Sequence, residues 1–211
     1  MIKLIIWDFN GTVIDDVDTS VAAVNDMLLA RNLPPTNKAE YTRDLIMPLD
    51  KYYSTVGIHN ADIPTLSIEF RQKCLENSHL SKIFPDFFPV VKFSAELGIK
   101  NVLMSSLYEE FLFDEIEKYN LKQYFDDIIG MKDTHVGSKY ENAEKYIKRS
   151  GISVQNVLFL GDLISDYEIA KKLGANCILI PRGHTSKKRC IKCGATVCDS
   201  LLSIKKYLAN N

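Results

Sequence analysis

The chain has 211 residues, a formal net charge of −1, 46% hydrophobic and 25% charged residues, a balance that excludes a disordered tail, a collagen-like repeat and a disulfide-dense scaffold. Without a global basic field, binding to nucleic acid or an anionic membrane would need a local patch; the one candidate, Lys187-Lys188-Arg189, reads as a solvated face, so neither partner is expected. The length favours one compact domain with a sizeable insertion, or two small domains.

Leu4 to Trp7 is a short apolar run that reads as a buried strand. It is too short for a signal peptide or a membrane span, so a cytoplasmic location is expected. It leads into Asp8-Phe9-Asn10-Gly11-Thr12, where Gly11 permits a sharp turn; taken alone, that pentapeptide could be only a turn. More than ninety residues separate Trp7 from the next strand-like run, too many for one crossover, so this region holds an insertion. It reads as helical. Val21, Val24, Met27 and Leu28 form an apolar stripe that stops at Asn32-Leu33-Pro34-Pro35, and further helices are predicted over 39–45, 50–56 and 65–77. Asp15-Asp16 stands at the entry, as a hinge or simply the start of the first helix, and 81–86 is the return linker. The expected division is 1–14 and 84–211 for an α/β core, with 15–83 as the helical insertion.

Beyond the insertion, Asn101 to Met104, Asp127 to Ile129, Val157 to Leu160 and Cys177 to Ile180 read as buried strands alternating with helices. Ser138-Lys139-Tyr140-Glu141 has the capping-box form, with Ala143, Tyr146 and Ile147 at helical spacing and Gly151 closing the segment. Ser165-Asp166-Tyr167-Glu168 repeats the device before a helix ending near Gly174. Continuous apolarity and strand–helix alternation predict a doubly wound, Rossmann-like parallel sheet covered on both faces. In such a sheet the groups that follow the strands converge on one edge: Asp8 and Asn10, Ser105 and Ser106, Asp162 and Asp166. Helix capping accounts for one acid of Gly161-Asp162-Leu163-Ile164-Ser165-Asp166 but not both. Clustered carboxylates repel, and a hard divalent cation such as Mg²⁺ resolves that repulsion. The five cysteines are an odd number and read as reduced thiols. Cys190-x-x-Cys193, with His184 before and Cys198 after, lacks the second close ligand pair of a zinc site and is read as small residues near the last strand.

These segments together resemble the haloacid dehalogenase superfamily, whose four motifs occur here in order across the chain, on its phosphoglycolate-phosphatase-like branch. The motifs are Asp8 to Thr12, Ser105 at a strand end, Lys139 at a helix start and Gly161 to Asp166. The resemblance implies a Mg²⁺-dependent phosphohydrolase acting on a small phosphorylated metabolite. Asp8 would attack phosphorus and form an aspartyl-phosphate. Ser105, Ser106, Thr12 and Lys139 would hold the phosphoryl oxygens. Asp8, Asp162, Asp166 and the backbone carbonyl of Asn10 would hold Mg²⁺. The insertion matches the family's helical cap, and Leu45 to Gly57, with Pro48 and Tyr52-Tyr53, is similar to the cap of that branch. Those aromatics are read as its packing face.

One catalytic position departs from the family. The residue two after the nucleophile is normally Asp, which protonates the leaving oxygen and then deprotonates water; here it is Asn10, and an amide cannot shuttle protons. Loss of such a group typically costs about 10² to 10⁴ in rate. Three readings follow: a substrate with a good leaving group, a slow phosphotransferase, or a protein that binds phosphorylated ligands without turnover. Retention of Asp8, Ser105, Lys139, Asp162 and Asp166 favours an enzyme. Restoring the acid by Asn10→Asp is expected to narrow any gap between good and poor leaving groups. His184, on a loop after the last predicted strand, has no evident partner in sequence and is read as incidental.

Overall fold

The computed structural model describes residues 1–47, 49–59, 62–132 and 138–210. In chain order, strand β1 is Leu4–Trp7 and β2 is Ile14–Asp15, followed by helices α1 (Val17–Leu29), α2 (Lys38–Asp44), α3 (Leu49–Thr55) and α4 (Ile63–Glu76). Strand β3 (Lys82–Ile83) returns the chain to α5 (Phe87–Glu96), β4 (Lys100–Tyr108), α6 (Glu109–Lys118), β5 (Asp127–Met131) and α7 (Lys139–Ser150). Last come β6 (Val157–Gly161), α8 (Ile164–Leu173), β7 (Asn176–Leu179), α9 (Lys187–Lys192), β8 (Thr196–Val197) and α10 (Leu202–Asn210).

Six strands form one sheet in the order β5-β4-β1-β6-β7-β8, with every pairing parallel. The pleat sends alternate side chains to opposite faces. Ile5 and Trp7 of β1 join Phe87, Val90 and Val91 of α5, Leu112 and Ile116 of α6, and Ile204 and Leu208 of α10 in one apolar layer. Leu4 and Ile6 point the other way, into a layer with Ala143, Tyr146 and Ile147 of α7 and Ala170 of α8. This is the expected doubly wound α/β architecture, and β1 at the centre is buried along its whole length. Among the described residues no helix is long and apolar enough to cross a membrane.

Helices α1 to α4 pack around a third cluster of their own, which includes Val24, Met27, Leu28, Tyr41, Tyr52, Tyr53 and Leu66. Tyr52 and Tyr53 are buried there, which makes them packing residues. Pro48 lies outside the described residues. The chain leaves and re-enters the α/β layers through a two-residue antiparallel ribbon in which Ile14 pairs with Ile83 and Asp15 with Lys82.

Local chemistry explains most boundaries. Ser138 caps α7 by accepting from the Glu141 amide at 3.2 Å, and Gly151 ends the helix in the left-handed conformation at φ 66°. Helix α8 differs from expectation: it starts at Ile164, so Ser165 lies inside it, and the Asp166 carboxylate accepts from the Leu163 amide at 3.1 Å. Strand β8 and the β2–β3 ribbon are additions to the predicted elements; two residues carry no readable periodicity.

One polar residue fastens β4 to its neighbours. Asn101 is buried, its Oδ1 accepts from Trp7 Nε1 at 2.9 Å and Ser94 Oγ at 2.7 Å, and its Nδ2 donates to the Ile99 carbonyl at 3.0 Å. Asn101→Ala leaves the buried Trp7 indole N–H without its partner, while Ser94 keeps the Val91 carbonyl, for a loss of about 2–3 kcal/mol. A thermal melt should fall by roughly 5–10 °C; an unchanged melt would show that the network adds nothing.

Candidate active site

The parallel sheet places the ends of β1, β4 and β6 side by side, since Trp7 lies beside both Leu103 and Leu160. Asp8 follows β1 directly, its amide still donating to the Leu160 carbonyl at 2.8 Å. Asp162 follows β6, and Asp166 sits in the first turn of α8. The carboxylates of Asp8, Asp162 and Asp166 are buried, and one oxygen from each lies within 4.8 Å of the others. Such an all-oxygen set fits a hard divalent cation. It is the one such cluster of His, Cys, Asp or Glu side chains among the described residues, and Cys190, Cys193 and Cys198 are not part of it. Cys190 is buried with its thiol toward the Asp162 carbonyl, and burial pushes that thiol up to about 12.

Lys139 at the start of α7 is buried and bridges two of these acids, donating to Asp8 Oδ1 and, at 2.6 Å, to Asp166 Oδ1. Burial opposes its charge, but Asp166 and Asp8 outweigh that and hold its pKa above the usual lysine value. Burial raises the Asp8 carboxyl from 3.8 to about 6 despite the pull of Lys139, with Asp166 adding to the rise. Burial also raises Asp162 well above its ordinary value, against the pull of His184. Thr12 is buried between two acids, with Oγ1 at 3.4 Å from Asp8 Oδ2 and 3.5 Å from Asp162 Oδ1. Ser105 is buried and its Oγ accepts from the Leu107 amide at 3.1 Å, while Ser106 is exposed. Both lie where the β4–β5 register shifts, between Met104 and Tyr108; such irregularities re-aim side chains at sheet edges.

Two glycines let loops crowd Asp162. A Cβ on Gly11, which has φ +76°, would lie 2.5 Å from Asp162 Oδ2. A Cβ on Gly183 would overlap the same carboxylate and stand 2.6 Å from Gly11 Cα.

Sequence reading did not bring out a second polar group here. His184 is buried; its amide donates to Asp162 Oδ2, its Nε2 lies 3.1 Å from Asp16 Oδ1, and its Nδ1 lies 3.0 Å from the Tyr41 hydroxyl. Burial disfavours the imidazolium, yet Asp16 and Asp162 hold its pKa up at about 9. Far from incidental, His184 has partners that lie 143 and 168 positions away, beyond any local pattern. Asn10 donates its amide to Asp16 Oδ2 at 2.8 Å.

Lys139→Met removes the cation that bridges Asp8 and Asp166, and breaking a buried ion pair this way costs about 3–5 kcal/mol. Because the folded-state pKa of Asp8 is raised, its contribution weakens the fold as pH rises from 3.8 through about 6. Without Lys139 that weakening grows. In EDTA the variant should melt roughly 10 °C below the parent at pH 8, with a smaller gap at pH 5. A gap independent of pH would argue that Lys139 supports packing alone.

The haloacid dehalogenase-like hydrolase family matches this chain over residues 5–180. The phosphoglycolate phosphatase of Pseudomonas putida KT2440 is 27% identical over 193 residues, covering 86% of this chain and 70% of that protein. Phosphoglycolate phosphatase 1 of Pseudomonas aeruginosa PAO1 is 26% identical with the same coverage. Among solved structures, a haloacid dehalogenase-like family hydrolase from Streptococcus pneumoniae superposes with a TM-score of 0.81 at 15% identity over 98% of both chains. A predicted phosphatase from Clostridium acetobutylicum superposes with a TM-score of 0.81 at 17% identity over 100% of both; at such identities the likeness concerns the fold. The chain belongs to the haloacid dehalogenase-like hydrolases, and within them it resembles the phosphoglycolate phosphatases.

Proposed function

We propose that the protein is a Mg²⁺-dependent phosphatase that cleaves a small phosphorylated metabolite through an aspartyl-phosphate on Asp8. The observation that carries this reading is a buried carboxylate at the end of the central strand, paired with Lys139 and gathered with Asp162 and Asp166. Asp8, Asp162, Asp166 and the Asn10 carbonyl would hold the cation, which supplies positive charge where carboxylate and phosphate meet.

Asp8 attacks phosphorus in line with the leaving oxygen, and the ester bond breaks as the aspartyl-phosphate forms. Lys139 Nζ and the Ser105 hydroxyl stabilise the equatorial oxygens, with Thr12 and Ser106 as further phosphate contacts. Water then attacks the phosphoryl group, releasing inorganic phosphate and restoring Asp8. Asn10 cannot give a proton to the leaving oxygen or take one from water. Substrates whose leaving group departs without help are therefore favoured. We assign residues 15–83 as the cap that covers the site, with α2 in contact with the loop after β7. The unpaired cysteines suit the cytoplasm. The similar proteins named phosphoglycolate phosphatases make 2-phosphoglycolate the first metabolite to assay.

Phosphate release in Mg²⁺ should stop on adding EDTA and should vanish in Asp8→Asn. Aryl and acyl phosphates should turn over at least ~10²-fold faster than alkyl phosphates. Equal rates on both would sink the leaving-group account. Mg²⁺ at ten times its dissociation constant should add about 1.4 kcal/mol to unfolding, an increment that Asp166→Asn should remove. Tight Mg²⁺-dependent ligand binding without phosphate release would favour a binding protein.

A further inference from the structure

Asp16 occupies the N-cap position of α1, yet its carboxylate caps nothing there. It is 7% exposed and turned toward the site, where three groups converge on it. Asn10 Nδ2 lies 2.8 Å from Oδ2, the Gly11 amide 2.8 Å from Oδ1, and His184 Nε2 3.1 Å from Oδ1. A carboxylate only accepts hydrogen bonds, so each partner must donate. That fixes the Asn10 amide with its nitrogen toward Asp16, and it requires a proton on His184 Nε2. His184 Nδ1 then meets the hydroxyl of Tyr41, a buried residue of α2. The two rings also meet edge to face at 5.8 Å. One continuous line of buried polar groups therefore runs from α2 to the residue two after Asp8.

We propose that Asn10 and Asp16 are a matched pair in which the carboxylate stands at position 16 because an amide stands at position 10. Asp16 is the positioning residue for Asn10 and is tied to α2 through His184 and Tyr41. An acid at position 10 would bring a second carboxylate oxygen against Asp16 Oδ2, where Asn10 Nδ2 now lies at 2.8 Å. Two carboxylate oxygens facing each other repel, and neither can donate the hydrogen bond that the Asn10 amide now supplies. The amide is thus required by its neighbour, and Asn10→Asp by itself does not restore a working proton shuttle. The exchange Asn10→Asp with Asp16→Asn does, because amide and carboxylate trade places and the hydrogen bond survives in the reverse sense. The kinetic part of this proposal rests on the phosphatase reading; the pairing itself does not.

The test uses the full chain with Asn10→Asp, Asp16→Asn and the double exchange. In EDTA at pH 7.5, without substrate, each single variant should melt about 4 °C or more below the parent. The double exchange should recover most of that loss. Losses that simply add overturn the pairing. Should either single variant fail to fold, a double variant that folds supports the pair and one that does not counts against it. An NMR measurement on the parent stands beside this: the Asn10 side-chain amide protons should exchange slowly with solvent, and exchange as fast as that of an exposed asparagine overturns the proposal. With Mg²⁺ and an alkyl phosphate, kcat of the double exchange should exceed that of Asn10→Asp alone by about tenfold or more, with KM little changed. The opposite order overturns it. Absence of release in every variant counts against the phosphatase reading and leaves the melts to decide the pair.

Discussion

The structure depends on one ionic constraint: Asp8, Asp162 and Asp166 are buried at the ends of β1 and β6, and Lys139 must reach Asp8 and Asp166. Charges brought out of water are tolerable only when paired and hydrogen-bonded. Strands β1 and β6 are adjacent and parallel, so Asp8 and Asp162 arrive together although 154 positions separate them. The lysine cannot come from the same strands. It enters on α7, whose Ala143, Tyr146 and Ile147 anchor the helix to the sheet face shared with Leu4 and Ile6. Ser138 fixes where that helix begins and therefore where the Lys139 ammonium ends. The apolar layer and the charge cluster are two views of one placement.

Features with a local signature were legible in the sequence. The buried strands are apolar runs bounded by polar residues, and β1, β4, β5, β6 and β7 lie where those runs lie. The α7 start has a side chain made for capping. The meeting of Asp8, Asp162 and Asp166 followed from sheet topology once the strands were taken as parallel, whereas Thr12 and Lys139 were placed beside them only by the family resemblance. Illegible features draw their meaning from distance. His184 looks like a stray loop residue until Asp16 and Tyr41 are beside it, and Asp16 looks like a helix start until its carboxylate is seen to cap nothing. The misplaced start of α8 is instructive too. Asp166 is read locally as belonging to a Ser165 cap, whereas it closes the helix start at Leu163 while also facing Lys139.

The contact between helices α1 to α4 and the α/β layers is polar where it meets the site. The Ser186 amide donates to the Thr42 carbonyl at 3.0 Å, and Arg189 donates to the carbonyls of Thr42 at 3.3 Å and Leu45 at 2.5 Å. These are the orphan carbonyls at the end of α2, which a guanidinium satisfies both by hydrogen bonding and by its charge against the helix dipole. Most apolar residues of these helices, Tyr52 and Tyr53 among them, are meanwhile turned inward to their own cluster, which Leu163 of the α/β layers also meets. An interface made of hydrogen bonds to backbone groups exchanges readily with water, whereas an apolar one would not.

Asp162 shows how closely backbone and charge are linked in this site. Its Oδ2 accepts from the His184 amide, while Gly11 and Gly183 approach so closely that no side chain fits at either position. The loop after β1 and the loop after β7 are therefore both pressed against the carboxylate that follows β6. Through the first loop, Asp162 constrains the path from Asp8 to Thr12; through the second, it sets where the His184 ring can stand. His184 in turn determines which atoms of Asp16 remain for Asn10. These residues are linked to one another by main-chain contacts around Asp162 and by side-chain hydrogen bonds from His184 through Asp16 to Asn10. The altered residue at position 10 therefore belongs to a set of mutually dependent positions, and its chemistry is a property of that set.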